Sequence, residues 1–184
     1  MEINEIRVFE NTIFEDGRGY FQEMYKESRF RSASIDNFNP KQSNLSVSNY
    51  GVIRGIHYSI AKSGQAKMVS CVHGSILDVA IDLRIGSPNF LKVFTIKLKS
   101  TEGKSVFIPH GFGHGFQSLE DKSMVTYLLD TEYEPTLEKE IYVFDSQLKI
   151  PWYEIPPILS AKDANANSLR NARSQNHLPI YMSQ

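Results

Sequence analysis

With 184 residues, 41% of them hydrophobic and 22% charged, the chain is sized for one soluble domain with a core of its own. A formal charge of −1 excludes a global basic field for nucleic acid, so an anionic ligand must be held by a local cluster. A single cysteine, Cys71, excludes a disulfide framework within the chain and points to a reducing cytoplasm.

In chain order, the opening Met1-Glu2-Ile3-Asn4-Glu5-Ile6-Arg7 lacks the basic-then-apolar pattern of a signal peptide. No stretch reaches the roughly 18 apolar residues of a membrane span. A short helix is predicted within Glu23 to Ile35. Gln42, Asn44 and Ser46 then sit two apart, a polar row on one strand face, with Leu45 and Val47 on the other. Ile76, Val79, Ile81 and Leu83 interleave with Asp78 and Asp82. Phe94, Ile96 and Leu98 alternate with Thr95, Lys97 and Lys99, and Val125, Tyr127 and Leu129 share a face. Turns are predicted at 86–88, 102–104 and 120–122. A second helix is predicted near Ser160 to Arg170, with Ser160 as N-cap and Asp163 in its first turn. The polar tail, 171–184, is expected to fray from a core of about 1–165. Many short strands with regular turns predict one all-β domain over 1–184, an antiparallel sandwich or barrel with a few short peripheral helices.

Two segments resemble the paired motifs of a cupin, a jelly-roll barrel. The first is Gly51-Val52-Ile53-Arg54-Gly55-Ile56-His57-Tyr58-Ser59, followed by Lys67 and Gly74. The second is Gly103 to His114. A metal cupin takes two histidines and a carboxylate from the first motif and a histidine from the second. Here those positions read His57, Ser59, Lys67 and His114. A lysine ammonium has donors and no lone pair, so the set suits proton chemistry on an organic substrate, with no metal. Lys67 shares strand parity with Val69 and Cys71, which turns it inward. Arg54 and His57 are three apart, so both can face a lumen only if the strand is irregular, and Gly55 is a plausible bulge.

Beyond the cupin motifs, the chain resembles the dTDP-4-dehydrorhamnose 3,5-epimerases. The resemblance runs from Asp16-Gly17-Arg18-Gly19-Tyr20-Phe21 to Leu159-Ser160-Ala161-Lys162-Asp163. It takes in Gly51 to Tyr58, Gln65-Ala66-Lys67, Asp78 to Arg84, Phe107 to Phe116, and the pair Tyr127 and Tyr133. Ser59 stands where a glutamine is usual in that family, and Leu128-Leu129-Asp130 where a more polar stretch is common. The resemblance implies a cofactor-free enzyme that inverts the carbons beside the ketone of a nucleotide-linked 4-keto-6-deoxy sugar. It implies His57 as general base, Asp163 as its orienting carboxylate, Lys67 at the enolate oxygen and Tyr127 as the acid on the opposite face. It places Gln42, Asn44, Ser46, Arg54 and His114 around sugar and phosphates. Arg18, Phe21, Glu23, Tyr133 and Glu138 fall around the nucleotide, some from a neighbouring subunit, since the family forms homodimers that exchange N-terminal strands.

The residue types fit that chemistry. An imidazole ionises near working pH and, with a carboxylate on its second nitrogen, can take a proton from carbon. A fixed cation takes the electrophilic role that a metal would otherwise fill. His73, His110 and His177 are assigned no function. Three other readings stay open: a nucleotide-sugar 3,4-ketoisomerase on the same barrel, a metal cupin oxygenase, and a non-catalytic sugar-binding module.

Overall fold

The computed structural model describes residues 3–62 and 64–182. Met1 and Glu2 of the N-terminal stretch and Ser183 and Gln184 of the tail lie outside the described residues. Alternation of apolar and polar side chains builds two five-stranded sheets. One contains, in spatial order, β1 (Arg7–Glu10), β9 (Lys104–Ile108), β6 (Lys67–His73), β11 (Ser123–Leu129) and β4 (Gln42–Ser48). The other contains β12 (Glu138–Glu140), β5 (Ile53–Ser59), β10 (Phe112–Ser118), β7 (Ser75–Asp82) and β8 (Val93–Lys99). A hairpin of β2 (Ile13–Asp16) and β3 (Gly19–Gln22) forms a separate two-stranded sheet. The paired strands within each sheet are antiparallel, as in the jelly-roll barrel that the cupin motifs imply.

Three apolar layers hold the sheets. Between them lie Val69, Cys71, Ile76, Ala80, Val106, Phe112 and Val125. The outer face of the β5–β10–β7 sheet is covered by the C-terminal part of the chain, with Ile53, Ile56 and Tyr58 against Ile141, Leu148, Leu169 and Leu178. The outer face of the other sheet is covered by helix α1 (Glu27–Ser32), which buries Phe30 against Phe9, Phe38, Met68 and Phe107. Strand β7 lies inside its sheet, between β10 and β8, and is covered on both faces. All eight of its residues are therefore buried, including Asp78 and Asp82, where sequence alternation alone suggests a half-exposed strand.

Arg84 ties the chain ends to this frame. It donates to Asp82 and, in a fork, to Glu5 at 2.8 and 2.6 Å. It also stacks over Phe112 and Tyr181.

The C-terminal segment departs from expectation. One helix was predicted near Ser160 to Arg170, and two form: α2 (Ala161–Ala164), capped by Ser160, and α3 (Leu169–Ser174), capped by Ser168. The tail does not fray over its described part. Leu178 is buried, and Ile180 bridges to Ile85, with Tyr181 N donating to the Ile85 carbonyl. A few apolar side chains at irregular spacing suffice to anchor it.

Candidate active site

The site is built from strands of both sheets. In β5, Arg54 lies opposite Phe116 and His57 opposite His114, so two residues of β5 face one of β10 between these pairs. This is a bulge at Gly55, as the spacing required. Gly55 has φ +125, and a Cβ there would sit 2.6 Å from the Gly115 Cα. The extra residue lets Ile53, Ile56 and Tyr58 pack outward while Arg54, His57 and Ser59 turn inward.

His57 and His114 are thus cross-strand neighbours on one wall. Each is hydrogen-bonded through Nε2 to a carboxylate: His57 to Asp163 Oδ1 at 2.6 Å, His114 to Asp78 Oδ1 at 2.7 Å. Asp163 reaches its position because the Ser160 hydroxyl caps α2 and accepts from Asp163 N. Burial alone would push the Asp163 carboxyl up. The His57 hydrogen bond and charge, the Ser160 hydroxyl and Lys162 together hold it below the usual carboxylate range.

The facing wall carries Lys67 on β6 and Tyr127 on β11, which the register sets two residues apart diagonally: Leu129 pairs with Lys67, and Tyr127 with Val69. Both share the inward face of Val69 and Val125, as strand parity predicted. Lys67 is 6% exposed. Burial pushes its ammonium down, against the opposing pull of Glu138 and Asp78.

The polar row of β4 lies beside Tyr127. Asn44 pairs with Tyr127, Gln42 with Leu129 and Ser46 with Val125. Gln42 donates to Asn44 Oδ1 and accepts from Tyr133 N, while the buried Ser46 Oγ has no partner among the described residues. Arg54 reaches across the mouth to the Ser48 hydroxyl and the Val47 carbonyl, both at 3.1 Å. Glu138 accepts from Gln65, and Tyr133 is exposed in the loop after β11.

Arg18, Phe21 and Glu23 are not gathered here. Arg18 pairs with Asp16 at the hairpin turn, Glu23 faces Lys26 and Arg29, and Phe21 is 64% exposed.

Two further residues, Lys162 and Asp78, adjoin this site without a role expected from the sequence. Lys162 bridges to Glu140 beside Asp163. Asp78 is the buried partner of His114, and its signal is an acid flanked by apolar residues in β7, which burial obliges to find a partner. His110, which the sequence assigns no function, lies in the turn before β10 and pairs with Asp130 at 2.5 Å. Two clefts of about 610 and 600 Å³ adjoin His110 and Arg84, outside the lumen. Chemically, the lumen offers a carboxylate-oriented imidazole on one wall, and a buried cation and a phenol on the other.

Known proteins resemble this chain along most of its length. The family model described as dTDP-4-dehydrorhamnose 3,5-epimerase matches residues 1–171. The dTDP-4-dehydrorhamnose 3-epimerase of Streptomyces niveus is 39% identical over 166 residues, 90% of this chain and 80% of that protein. An epimerase of Mycobacterium tuberculosis superposes with a TM-score of 0.94 at 35% identity, covering 98% of this chain and 92% of the other. A dTDP-6-deoxy-D-glucose-3,5-epimerase of Legionella pneumophila, solved in complex with dTDP-4-keto-L-rhamnose, superposes with a TM-score of 0.93. It is 35% identical and covers 100% of this chain and 97% of its own.

Proposed function

The chain belongs to the dTDP-4-dehydrorhamnose 3,5-epimerase family, and from that premise we propose that it epimerises a dTDP-linked 4-keto-6-deoxyhexose by proton transfer beside the ketone. One observation carries the reading: His57 and Tyr127 stand on opposite walls of one lumen, with Lys67 buried beside Tyr127. Inversion needs a proton to leave one face of a carbon and another to arrive on the opposite face.

Asp163 accepts from His57 Nε2–H, which leaves the Nδ1 lone pair free as the base. His57 takes the C3 proton, and the electron pair moves onto the C4 oxygen as an enolate. The Lys67 ammonium meets that charge in a site with little water to screen it. The Tyr127 hydroxyl returns a proton to the other face, and solvent resets both groups. The same cycle at C5 distinguishes a 3,5-epimerase from a 3-epimerase. Gln42, Asn44, Ser46, Arg54 and His114 hold the sugar and diphosphate. Tyr133 stacks on the base, with Glu138 nearby.

Arg18, Phe21 and Glu23 complete the nucleotide site from a second copy, so the enzyme works as a homodimer. Support comes from the hairpin, which presents Phe14, Tyr20 and Phe21 to solvent, and from the exposed Leu45 and Val47 of edge strand β4. The free Cys71 thiol is in keeping with a cytoplasmic enzyme. No described helix is long and apolar enough to cross a membrane. A ketoisomerase would give a constitutional isomer and has no need of an acid on the wall opposite its base.

The test is incubation with dTDP-4-keto-6-deoxyglucose in D₂O, with deuterium counted at C3 and C5. Label at both carbons makes the protein a 3,5-epimerase, and label at C3 alone a 3-epimerase. No label at either overturns the reading.

A further inference from the structure

Two imidazole–carboxylate pairs stand side by side on the β5–β10 wall, and the chemistry above uses only one carboxylate. The second pair lies deeper. The His114 side chain is 8% exposed against 39% for His57, and Asp78 is fully buried. An ionised carboxylate at such depth is costly unless it is compensated. Oδ1 takes the His114 Nε2 hydrogen bond, while Oδ2 is buried with no hydrogen-bond partner among the described residues. Across the lumen, on the facing sheet, Lys67 is a buried cation that points inward.

We propose that Asp78 is a positioning residue of the epimerase reaction, holding His114 with Nδ1 turned to the substrate and supplying the countercharge to the Lys67 ammonium at the enolate. This rests on the epimerase reading. The geometry gives Asp78 two separate tasks. Its Oδ1 fixes the His114 ring and keeps the proton on Nε2, so only Nδ1 is free to meet a ligand. Its second oxygen is buried and makes no hydrogen bond among the described residues, which leaves it to act on the buried Lys67 through a poorly screening interior.

The groups facing Asp78 are few. Strand β10 contributes His114, and β6 contributes Lys67 and Cys71, whose thiol burial pushes up to about 11 and so keeps neutral. Strand β8 places apolar Ile96 opposite Asp78. Glu138 acts on Lys67, and Glu120 on Cys71. His57 is the cross-strand neighbour of His114.

The test uses the full chain labelled with ¹⁵N-histidine and ¹⁵N-lysine. In the wild type, NMR is expected to show the neutral His114 ring with its proton on Nε2. A neutral His114 with its proton on Nδ1 overturns the proposal, and this reading needs no variant. In Asp78→Asn, kcat for C3 exchange should fall about 100-fold, the scale of losing one donor to an oxyanion, with KM little changed. The Lys67 Nζ titration and the alkaline limb of kcat should both move to lower pH, because the ammonium has lost a stabilising charge. An unmoved Lys67 titration with wild-type kcat overturns the proposal. If the wild type itself exchanges no deuterium, the epimerase reading fails, while the two NMR readouts still decide what Asp78 does.

Discussion

Replacing Lys67 by methionine separates the charge from the packing of its stem. The methionine keeps a long, flexible side chain in the same buried slot between Val69 and the β11 register partner Leu129. What is lost is a buried ammonium, which the proposed mechanism sets against the oxygen on which negative charge develops. One such preorganised donor contributes about 3–4 kcal/mol to a transition state. At about 1.36 kcal/mol per tenfold, kcat for C3 exchange should fall roughly 100- to 1000-fold. The assay is deuterium incorporation at C3, read by mass spectrometry. A second signature comes from stability. The folded state pushes the ammonium below its ordinary value. Between that depressed value and the ordinary one, the unfolded chain binds more protons than the folded chain, so wild-type stability rises with pH across this window. Lys67→Met should remove that rise. Exchange at the wild-type rate in a folded Lys67→Met protein would refute the role of Lys67, whatever the stability curve does.

Other outcomes follow from the same geometry. Asp163→Asn should lower kcat by at least about 100-fold, since an amide can hold His57 in the wrong tautomer. Its stability curve should also lack an acid limb. The wild-type carboxyl is held below its ordinary pKa, so the stability it adds is present above that value and lost as pH falls through the folded one. Tyr127→Phe should slow net inversion, measured by trapping the product with a reductase, more than it slows deuterium exchange; equal losses would remove Tyr127 as the acid. Arg84→Met leaves the fully buried Asp82 without its cation and releases Glu5. A loss of about 3–5 kcal/mol is expected, read as a lower urea midpoint at unchanged slope.

The wall that carries Lys67 and Tyr127 was legible because strand parity is a local property. Val69 and Cys71 fix where Lys67 points, and Val125 fixes Tyr127. The bulge at Gly55 was legible for the same reason: two inward residues three apart require one extra residue between them. Pairings across long stretches of chain were not. Asp163 lies 106 residues from His57, and only family resemblance joined them. Asp78 lies 36 residues from His114, and no periodicity couples a strand to a neighbour that far along the chain. The tail misled because its composition is polar. Its anchorage comes from Leu178, Ile180 and Tyr181 finding places on an already folded barrel, which composition cannot register.

The bulge also says how this segment tolerates change in length and in chemistry. Gly55 occupies a backbone conformation that disfavours side chains, and its missing Cβ is the gap through which β5 meets the Gly115 backbone. Even alanine there must collide with main chain, which cannot swing aside as a flexible side chain can. Losing the residue altogether is a different event. With Gly55 gone, Ile53 and Ile56 would still pack outward and Arg54 and His57 would still point inward, two apart in plain alternation. At this one position, then, a deletion conserves the facing of every neighbour, and the mildest substitution does not fit.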